Sequence, residues 1–164
     1  MDLQLSTSYD APPEEVFAII TDTTFQEQVC QRLSALSYDV AVDSDDDVVL
    51  RVRWETPPAD ISGVARRFVG ERLVLAQTKV WHPATRDGSR EADVEGEVAG
   101  ARVRLTGHTW ISPTGGATTQ TFDLHVTASV PVVGHRLEQV VMDAVRARLE
   151  TKFELAWSWI AGAL

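Results

Sequence analysis

Apolar and polar residues alternate along most of the chain up to about position 130, and helical spacing replaces this alternation near the C-terminus. In the stretch "DLQLSTSY", Leu3, Leu5, Thr7 and Tyr9 share one face, as the residues of a half-buried strand do. The same alternation predicts further strands, joined by turns rich in Asp, Gly and Pro. These strands are predicted over residues 36–43, 48–54, 71–82, 90–98, 101–112 and 118–130.

Two short helices are predicted directly after the first strand. The prolines at 12–13 end the strand and suit a first helical turn, where the missing N–H has no partner in any case. Glu14 and Glu15 follow in the first turn, where the helix dipole favours negative charge. Neighbouring helical residues diverge by about 100°, so we interpret these carboxylates as helix-starting residues and not as a catalytic pair. Thr21 or Asp22 is positioned to cap the second helix.

The C-terminal region predicts one long amphipathic helix over residues 134–162. Its apolar residues recur at spacings of three and four, which sustains an apolar stripe for about seven turns. Arg146, Arg148, Glu150 and Lys152 are assigned to the other faces of this helix. The stripe comprises Leu137, Val140, Val141, Ala144, Val145, Leu149, Phe153, Ala156, Trp157 and Ile160.

Together these elements predict an α+β fold. A curved antiparallel sheet of about six or seven strands wraps around the long C-terminal helix, which is the only element able to cover the apolar face of the sheet. Two short helices follow the first strand. At 164 residues, with 44% hydrophobic residues, the chain is expected to form a single domain over residues 1–164.

The order of elements and two sequence segments resemble the START-like superfamily, whose members are also called SRPBCC, helix-grip, polyketide-cyclase-like or birch-pollen-allergen-like proteins. The segments are "DAPPEEVFAIITD" after the first strand and "SVPVVGHRLEQVV" before the last helix. The chain looks most like an uncharacterised bacterial branch of that superfamily. The resemblance implies a cavity between the sheet and the C-terminal helix that binds lipids, sterols, polyketides or aromatic compounds. It marks the fold and not an activity, because some relatives are enzymes and many only carry or sense ligands.

The charge of the chain argues against several classes of partner. A net charge of −9 and a pI of about 4.8 disfavour binding to nucleic acid and to anionic membranes. The single cysteine, Cys30, and the lack of a signal peptide or an apolar run of membrane-spanning length favour a cytoplasmic location. We interpret the large excess of arginine over lysine as genome composition. The sequence leaves the oligomeric state open.

No cofactor is expected from the motifs. Asp43, Asp45 and Asp47 imitate the start of a calcium-binding loop, but Val48 and Trp54 stand where that loop needs Gly and Glu. No histidines show zinc-binding helical spacing and no glycine-rich loop is built for phosphate, so neither a metal nor a nucleotide is predicted. His108 and His125 are predicted on solvent-exposed strand faces, and the lone cysteine is interpreted as a small core residue.

A set of large apolar residues is predicted to line the cavity, or to fill it, since the same residues suit a solid core. The chain contains five tryptophans, and aromatic residues commonly wall ligand pockets. The candidate ligand-binding residues are Trp54, Phe68, Trp81, Val103, Leu105, Phe122, Val141, Val145, Leu149 and Phe153.

The segment 56–70 is predicted to be a lid over one end of this space. It is longer than a connection between two strands needs, and loops of this kind often cover sites. A short helix is expected around Val64–Phe68, with an apolar patch that includes Ile61 and with Phe68 packed inward. Arg66 or Arg67 is expected at the rim.

The leading hypothesis is that the protein binds a hydrophobic or aromatic small molecule without catalysing a reaction. The first alternative is an enzyme of the cyclase or hydratase kind that uses the same cavity. The second is a protein-interaction module with a filled core. A polar cluster inside an otherwise apolar cavity favours the enzyme, and a filled interior favours the interaction module.

Overall fold

The computed structural model describes residues 1–56 and 63–162, apart from the side chains of residues 64 and 65. Seven strands and four helices lie within these bounds. The strands are β1 (Asp2–Tyr9), β2 (Ser37–Ser44), β3 (Val48–Thr56), β4 (Leu73–Trp81), β5 (Arg90–Val98), β6 (Val103–Thr114) and β7 (Ala117–Ala128). The helices are α1 (Pro13–Ile20), α2 (Thr23–Arg32), α3 (Gly63–Val69) and α4 (Gly134–Ile160).

All seven strands form one antiparallel sheet in the order β1-β7-β6-β5-β4-β3-β2. Alternate residues of each central strand are buried, and α4 packs against the buried face, with β7 and β1 beneath it and α2 beside it. The predicted architecture, an antiparallel sheet that holds a long C-terminal helix, is confirmed. The predicted strands agree closely with the observed ones at both ends.

The two short helices begin where the sequence predicted. Pro13 opens α1, and Glu14 and Glu15 lie exposed in its first turn. Asp22 is the N-cap of α2, since its Oδ1 accepts a hydrogen bond of 2.8 Å from the backbone N–H of Phe25. Thr21 instead donates its hydroxyl proton to a carbonyl of α1 at 2.7 Å. Of the two candidate caps, the structure therefore uses Asp22.

Helix α4 is fixed at both of its ends. Near its start, Glu138 Oε1 accepts a hydrogen bond of 3.0 Å from the backbone N–H of Ala128, at the end of β7. Near its end, the ring of Trp159 packs edge-on against Phe25 of α2, with 5.5 Å between ring centroids. These contacts hold the helix in one position over the sheet. In the described part of the chain, no helix combines the length and the apolar character needed to cross a membrane.

Trp157 was predicted to continue the apolar stripe of α4, and this prediction is wrong. The side chain is 47% exposed, and its indole N–H donates to the backbone carbonyl of Ser8 at 2.9 Å. At 100° per residue, Trp157 lies about 140° from the centre of the buried face, whereas Trp159 lies close to that centre. Trp159 therefore packs against the core and Trp157 stays at its edge.

Gly107 permits a close approach between the two longest strands. It lies in the middle of β6 with φ of +153°, and a Cβ atom built there would lie 2.1 Å from the backbone oxygen of Asp123 in β7. A side chain at this position would both strain the backbone and separate the strands. Only glycine fits, because it has no Cβ atom.

We expect Gly107→Ala to lower the free energy of unfolding by about 1–3 kcal/mol or more, the usual scale for a backbone forced into a sparsely populated conformation. Gly116→Ala is the matched control, because no atom lies within 4 Å of its Cβ position and its φ is not positive. The control should change stability by about 0.5 kcal/mol or less. Urea unfolding followed by circular dichroism measures both values, and equal effects would contradict this account of the β6–β7 contact.

Candidate functional site

Three basic side chains are buried between the sheet and α4. Lys79 of β4 is 4% exposed, Arg148 of α4 is 5% exposed, and Lys152 of α4 is 2% exposed. Burial of a charge is expensive unless it is paired, so residues of these types are seldom fully buried without a partner. The region where these three side chains meet is the candidate site.

Helical geometry explains why Arg148 and Lys152 face inward. Arg148 follows Val141 by seven residues and Lys152 follows Val145 by seven, and seven residues bring a helix back to within about 20° of the same direction. The two residues therefore lie in the middle of the buried face of α4. The prediction that they occupy other faces is wrong, because it followed residue polarity and not the spacing.

Strand alternation explains the position of Lys79. The buried residues of β4 include Leu73, Leu75, Lys79 and Trp81, all of one parity. Lys79 is not among the site residues predicted from the sequence. The signal was present, because the alternation of β4 places every odd-numbered residue on the inner face.

The two lysines meet above the ring of Phe122. The Nζ atoms of Lys79 and Lys152 each lie 5.3 Å from the centroid of that ring. Phe153 packs beside it, with 6.0 Å between ring centroids. An aromatic face attracts a cation, so Phe122 supplies part of the stabilisation that water would give outside.

These are the only two lysines in the chain, among 15 basic residues. From the sequence alone, the scarcity of lysine is interpreted as genome composition. The structure adds the location of both lysines, which are brought together in the interior from β4 and α4. Among the Lys and Arg residues, those exposed on the surface are therefore all arginines, and both lysines are buried. Unlike a guanidinium, a buried lysine amine can lose its proton.

The contacts of Arg148 with the described residues are all to neutral groups. Its Nη2 donates to Gln26 Oε1 at 2.8 Å and its Nη1 donates to Cys30 Sγ at 3.4 Å. The guanidinium also stacks on Trp54, with 4.4 Å between Cζ and the ring centroid. Gln26 is fixed in turn, because its Nε2 donates to the backbone carbonyl of Ile20 at 2.6 Å. Cys30 is buried as predicted, but it is also a contact of this arginine.

Within residues 1–56 and 63–162, no carboxylate forms an ion pair with Lys79, Arg148 or Lys152. The acidic side chains that do pair are on the surface, for example Asp43 with Arg51 at 2.7 Å. The interior of this acidic protein therefore has a local excess of positive charge.

Burial shifts the pKa values of all three groups. Burial lowers the pKa of Lys79 to about 7, the nearby charge of Arg148 adds to the decrease, and the contact with Lys152 opposes it. Burial likewise lowers the pKa of Lys152 well below its ordinary value, and Lys79 and Arg148 lower it further. Burial also lowers the pKa of Arg148. The contact between the lysines opposes the decrease at Lys79 and adds to it at Lys152, so of the two groups Lys152 has its pKa lowered further.

A second polar chain in the interior carries no charge. The hydroxyl of Tyr9 donates to Gln120 Oε1 at 2.8 Å, and Gln120 Nε2 donates to Thr109 Oγ1 at 3.2 Å. The hydroxyl of Thr109 donates a hydrogen bond of 2.9 Å to the backbone carbonyl of Thr121. Burial raises the pKa of Tyr9, so the phenol remains neutral. Every member has a partner, and the chain therefore fixes β1, β6 and β7 relative to one another.

The predicted lining residues lie in the core with one exception. Phe68 is 42% exposed, whereas its neighbour Val69 is buried. The prediction that Phe68 packs inward is wrong, because adjacent helical residues diverge by about 100°. Residues 57–62, which include Ile61, and the side chain of Val64 lie outside the described residues. The buried candidates are Trp54, Trp81, Val103, Leu105, Phe122, Val141, Val145, Leu149 and Phe153.

One gap between the sheet and α4 is small. A gap bounded by Trp54, Leu75, Leu105, Val141 and Val145 has a cavity volume of about 10 Å³. That volume holds at most about one water molecule. At this place, a ligand of any size must therefore displace side chains that now fill the interior.

The histidines form a separate set of contacts on the surface. His82 Nε2 lies 2.9 Å from Asp93 and its Nδ1 lies 3.4 Å from Asp47, and the Asp93 contact raises the pKa of His82. His108 and His125 are exposed, as predicted. Among the residues that the structure describes, no three His, Cys, Asp or Glu side chains are grouped so as to hold a metal ion.

A protein-family model described as "Protein of unknown function (DUF2505)" matches residues 4–160. The chain belongs to this family. None of the curated proteins compared with this DUF2505 chain matches it.

The structure of this DUF2505 protein is similar to several solved structures. The protein TTHA0849 from Thermus thermophilus is 15% identical, with a TM-score of 0.63 and 99% of both chains covered. The Zhui aromatase/cyclase from Streptomyces sp. R1128 is 14% identical, with a TM-score of 0.60 and coverage of 96% of this chain and 94% of that one. A STAR-related lipid transfer protein from Xanthomonas axonopodis is 12% identical, with a TM-score of 0.57 and coverage of 92% and 85%. The START-like, helix-grip fold that the sequence predicted is therefore confirmed.

The buried lysines predict an unusual dependence of stability on pH. Between pH 7 and about 10 the unfolded chain binds more protons at its lysines than the folded chain does, since the folded pKa of Lys79 is about 7 against 10.5. We therefore expect the free energy of unfolding to rise with pH in this window, by up to about 1.4 kcal/mol per pH unit for each lysine. This contribution is complete near pH 10.5 and is lost as the pH falls to 7.

Urea unfolding at pH 7.0, 8.0 and 9.0 in a low-salt buffer measures this slope. The double variant Lys79→Met, Lys152→Met should have a clearly flatter profile than the wild type. Arg146→Met is the control, because Arg146 is exposed on the same helix. If the wild type and the double variant show the same slope, the lysines are not charged differently in the folded and unfolded states.

Proposed function

We propose that this protein binds a small amphipathic acid, with an apolar or aromatic body and a carboxylate group, between the sheet and α4. The observation that carries the proposal is the group of three buried basic side chains without an ion-paired carboxylate among the described residues. A carboxylate brought in by a ligand would neutralise part of this charge where the dielectric constant is low and ion pairs are strong. The ligand would supply the partner that the fold itself lacks.

The surroundings of the cations suit an apolar body. Phe122, Phe153 and Trp54 present aromatic rings next to the amines and the guanidinium. Leu105 and Val145 continue the apolar wall on the sheet and on the helix. Ligand sites are typically apolar with a few polar groups that fix orientation. The names of two structural relatives, an aromatase/cyclase and a lipid transfer protein, support the same class of ligand.

The lysine side chains themselves are the parts that must move. Each reaches the interior on a flexible chain of four methylenes, one from β4 and one from α4. An acid placed between the two amines would separate them and replace a repulsive contact by two attractive ones. Because the acid favours the charged form of both lysines, we expect its binding to be accompanied by proton uptake near pH 7.

Two other functions each have one observation in their favour. A cyclase- or hydratase-like enzyme is favoured by the presence of titratable groups inside an otherwise apolar interior. A protein-interaction module with a filled core is favoured by the cavity volume of only about 10 Å³ in the gap beside Val141 and Val145. The acid-binding proposal ranks first because only it accounts for the surplus of buried positive charge.

A matched pair of ligands tests the proposal. Quenching of tryptophan emission by 2-naphthoic acid should saturate, whereas its methyl ester should bind at least about tenfold more weakly, since a hydrogen bond to a charged group contributes about 1.5–3 kcal/mol. Arg148→Met and Lys79→Met should each weaken binding of the acid by about ten- to a hundredfold and leave the ester unaffected. Arg146→Met should change neither.

Dodecanoic acid and its methyl ester extend the test to an aliphatic body. Circular dichroism of each variant separates a loss of binding from a loss of folding. If neither acid binds, or if the acids and their esters bind equally well, the buried cations do not recognise a carboxylate. The interaction-module hypothesis would then rank first.

A further inference from the structure

We propose that Lys152 is a nucleophilic amine that forms an imine with an aldehyde or ketone group of a bound small molecule, with Lys79 as the neighbouring acid. This inference rests on the proposed binding site, since the carbonyl compound must enter the same interior. It adds a covalent reaction to that site, and a class of ligand, apolar carbonyl compounds, that binding by charge alone does not require.

The geometry brings an amine and an acid to one place. The Nζ atoms of Lys152 and Lys79 lie at the same distance, 5.3 Å, from the centroid of the Phe122 ring. The two lysines are 2% and 4% exposed. Phe122 and Phe153 form an apolar surface beside the amines, on which the body of a carbonyl compound can pack. A nucleophile needs this combination of a free lone pair, a proton donor and a dry surface.

The charges around the pair keep one amine neutral. Lys79 reaches the interior from β4, Lys152 and Arg148 from α4, and α2 contributes only Gln26 and the thiol of Cys30. Three cations in a dry interior repel one another, so the least costly arrangement releases a proton from one lysine. Lys152 loses it, because its pKa is lowered first by burial and then by both Lys79 and Arg148, one turn before it on the helix.

The reaction balances with the groups present. The lone pair of Lys152 Nζ attacks the carbonyl carbon, and the electrons of the C–O π bond move to oxygen, which takes a proton from the Lys79 ammonium. The nitrogen of the resulting carbinolamine gives a proton back to the Lys79 amine. Lys79 then protonates the hydroxyl group, which leaves as water while the nitrogen lone pair forms the C=N bond. The product at this point is a protonated imine, and its nitrogen returns the proton to the Lys79 amine. The sum is then amine plus carbonyl giving imine plus water, with no oxidant or reductant.

The composition of the chain makes the test specific. It has three amines in all, those of Lys79, Lys152 and the N-terminus of Met1. The folded protein is treated at pH 7 with 2-naphthaldehyde and sodium cyanoborohydride, which reduces an imine to a stable secondary amine. We expect a mass increase of one aldehyde less one oxygen, located at Lys152 by peptide mapping.

The rate of modification in the unfolded chain shows whether the fold activates Lys152 or whether the reagent only modifies lysines that it can reach. Lys152 should be modified at least about tenfold faster in the folded protein than in protein unfolded by urea, since an ordinary lysine is almost fully protonated at pH 7. A lysine that is merely buried would show the reverse order. The amine of Met1 serves as the internal reference for reagent and pH.

Two variants test the roles of the lysines. Lys152→Arg puts a guanidinium that cannot form an imine at this position, so trapping in the interior should fall at least about tenfold. Lys79→Met removes the acid and the repulsion that keeps Lys152 neutral. We expect it to slow trapping at Lys152 by several-fold and to move the reaction to higher pH.

The outcomes distinguish this inference from the proposed function. Modification of Lys152 in the folded wild type, faster than in urea, supports it. Modification confined to Lys79 or to Met1, or slower modification in the folded state, overturns it. If 2-naphthoic acid binds but 2-naphthaldehyde is never trapped, the imine is wrong and the acid-binding function stands. The wild-type result decides even if a variant fails to fold.

Discussion

The meeting of two lysine side chains above one phenylalanine ring is the contact on which the interpretation of this protein depends. The sheet supplies Lys79, the long helix supplies Lys152, and Phe122 of β7 supplies the surface between them. Arg148 adds a third basic group within the same apolar interior. Each of these charges costs free energy to bury, and no described carboxylate compensates it. A fold that needed only stability would place apolar side chains at these positions, because well-packed hydrophobic residues often replace buried charges without loss.

This cost is an argument for function. Groups with strongly shifted pKa values concentrate at sites where proteins bind or transform other molecules. Here the aromatic rings, the glutamine and the thiol around the cations are all neutral, so the site stabilises positive charge only partly. The site therefore suits a ligand group that is negatively charged or electrophilic, and the described residues supply no such group. A ligand carboxylate would form ion pairs with protonated lysines, whereas a ligand carbonyl carbon would react with a neutral lysine amine.

Sequence patterns predicted most of the fold because the elements follow simple physical rules. Alternation in the strands, the prolines at 12–13 and the cap at Asp22 each act locally, and the structure confirms them. The site was missed for a different reason. Lys152 and Arg148 lie on the apolar stripe by spacing alone, but charged residues were assigned to solvent on the basis of their type. Periodicity was the better guide at both positions. Other features could not be predicted from local pattern at all. The contact between Lys79 and Lys152 joins residues from the middle and the end of the chain, and only the packing of α4 across the sheet brings them together. The exposure of Phe68 in place of Val69 depends on how α3 is rotated.

The charge state of the two lysines in the ligand-free protein tests the central claim most directly. With lysine labelled by ¹³C at Cε, the chain gives only two lysine side-chain signals, which can be assigned with Lys79→Arg and Lys152→Arg and followed from about pH 5.5 to 10.5. The account predicts that the Lys152 signal has the chemical shift of a neutral amine at pH 7 and that the Lys79 signal titrates near pH 7. Two ordinary titrations near pH 10.4, roughly the value for lysine in water, would contradict it.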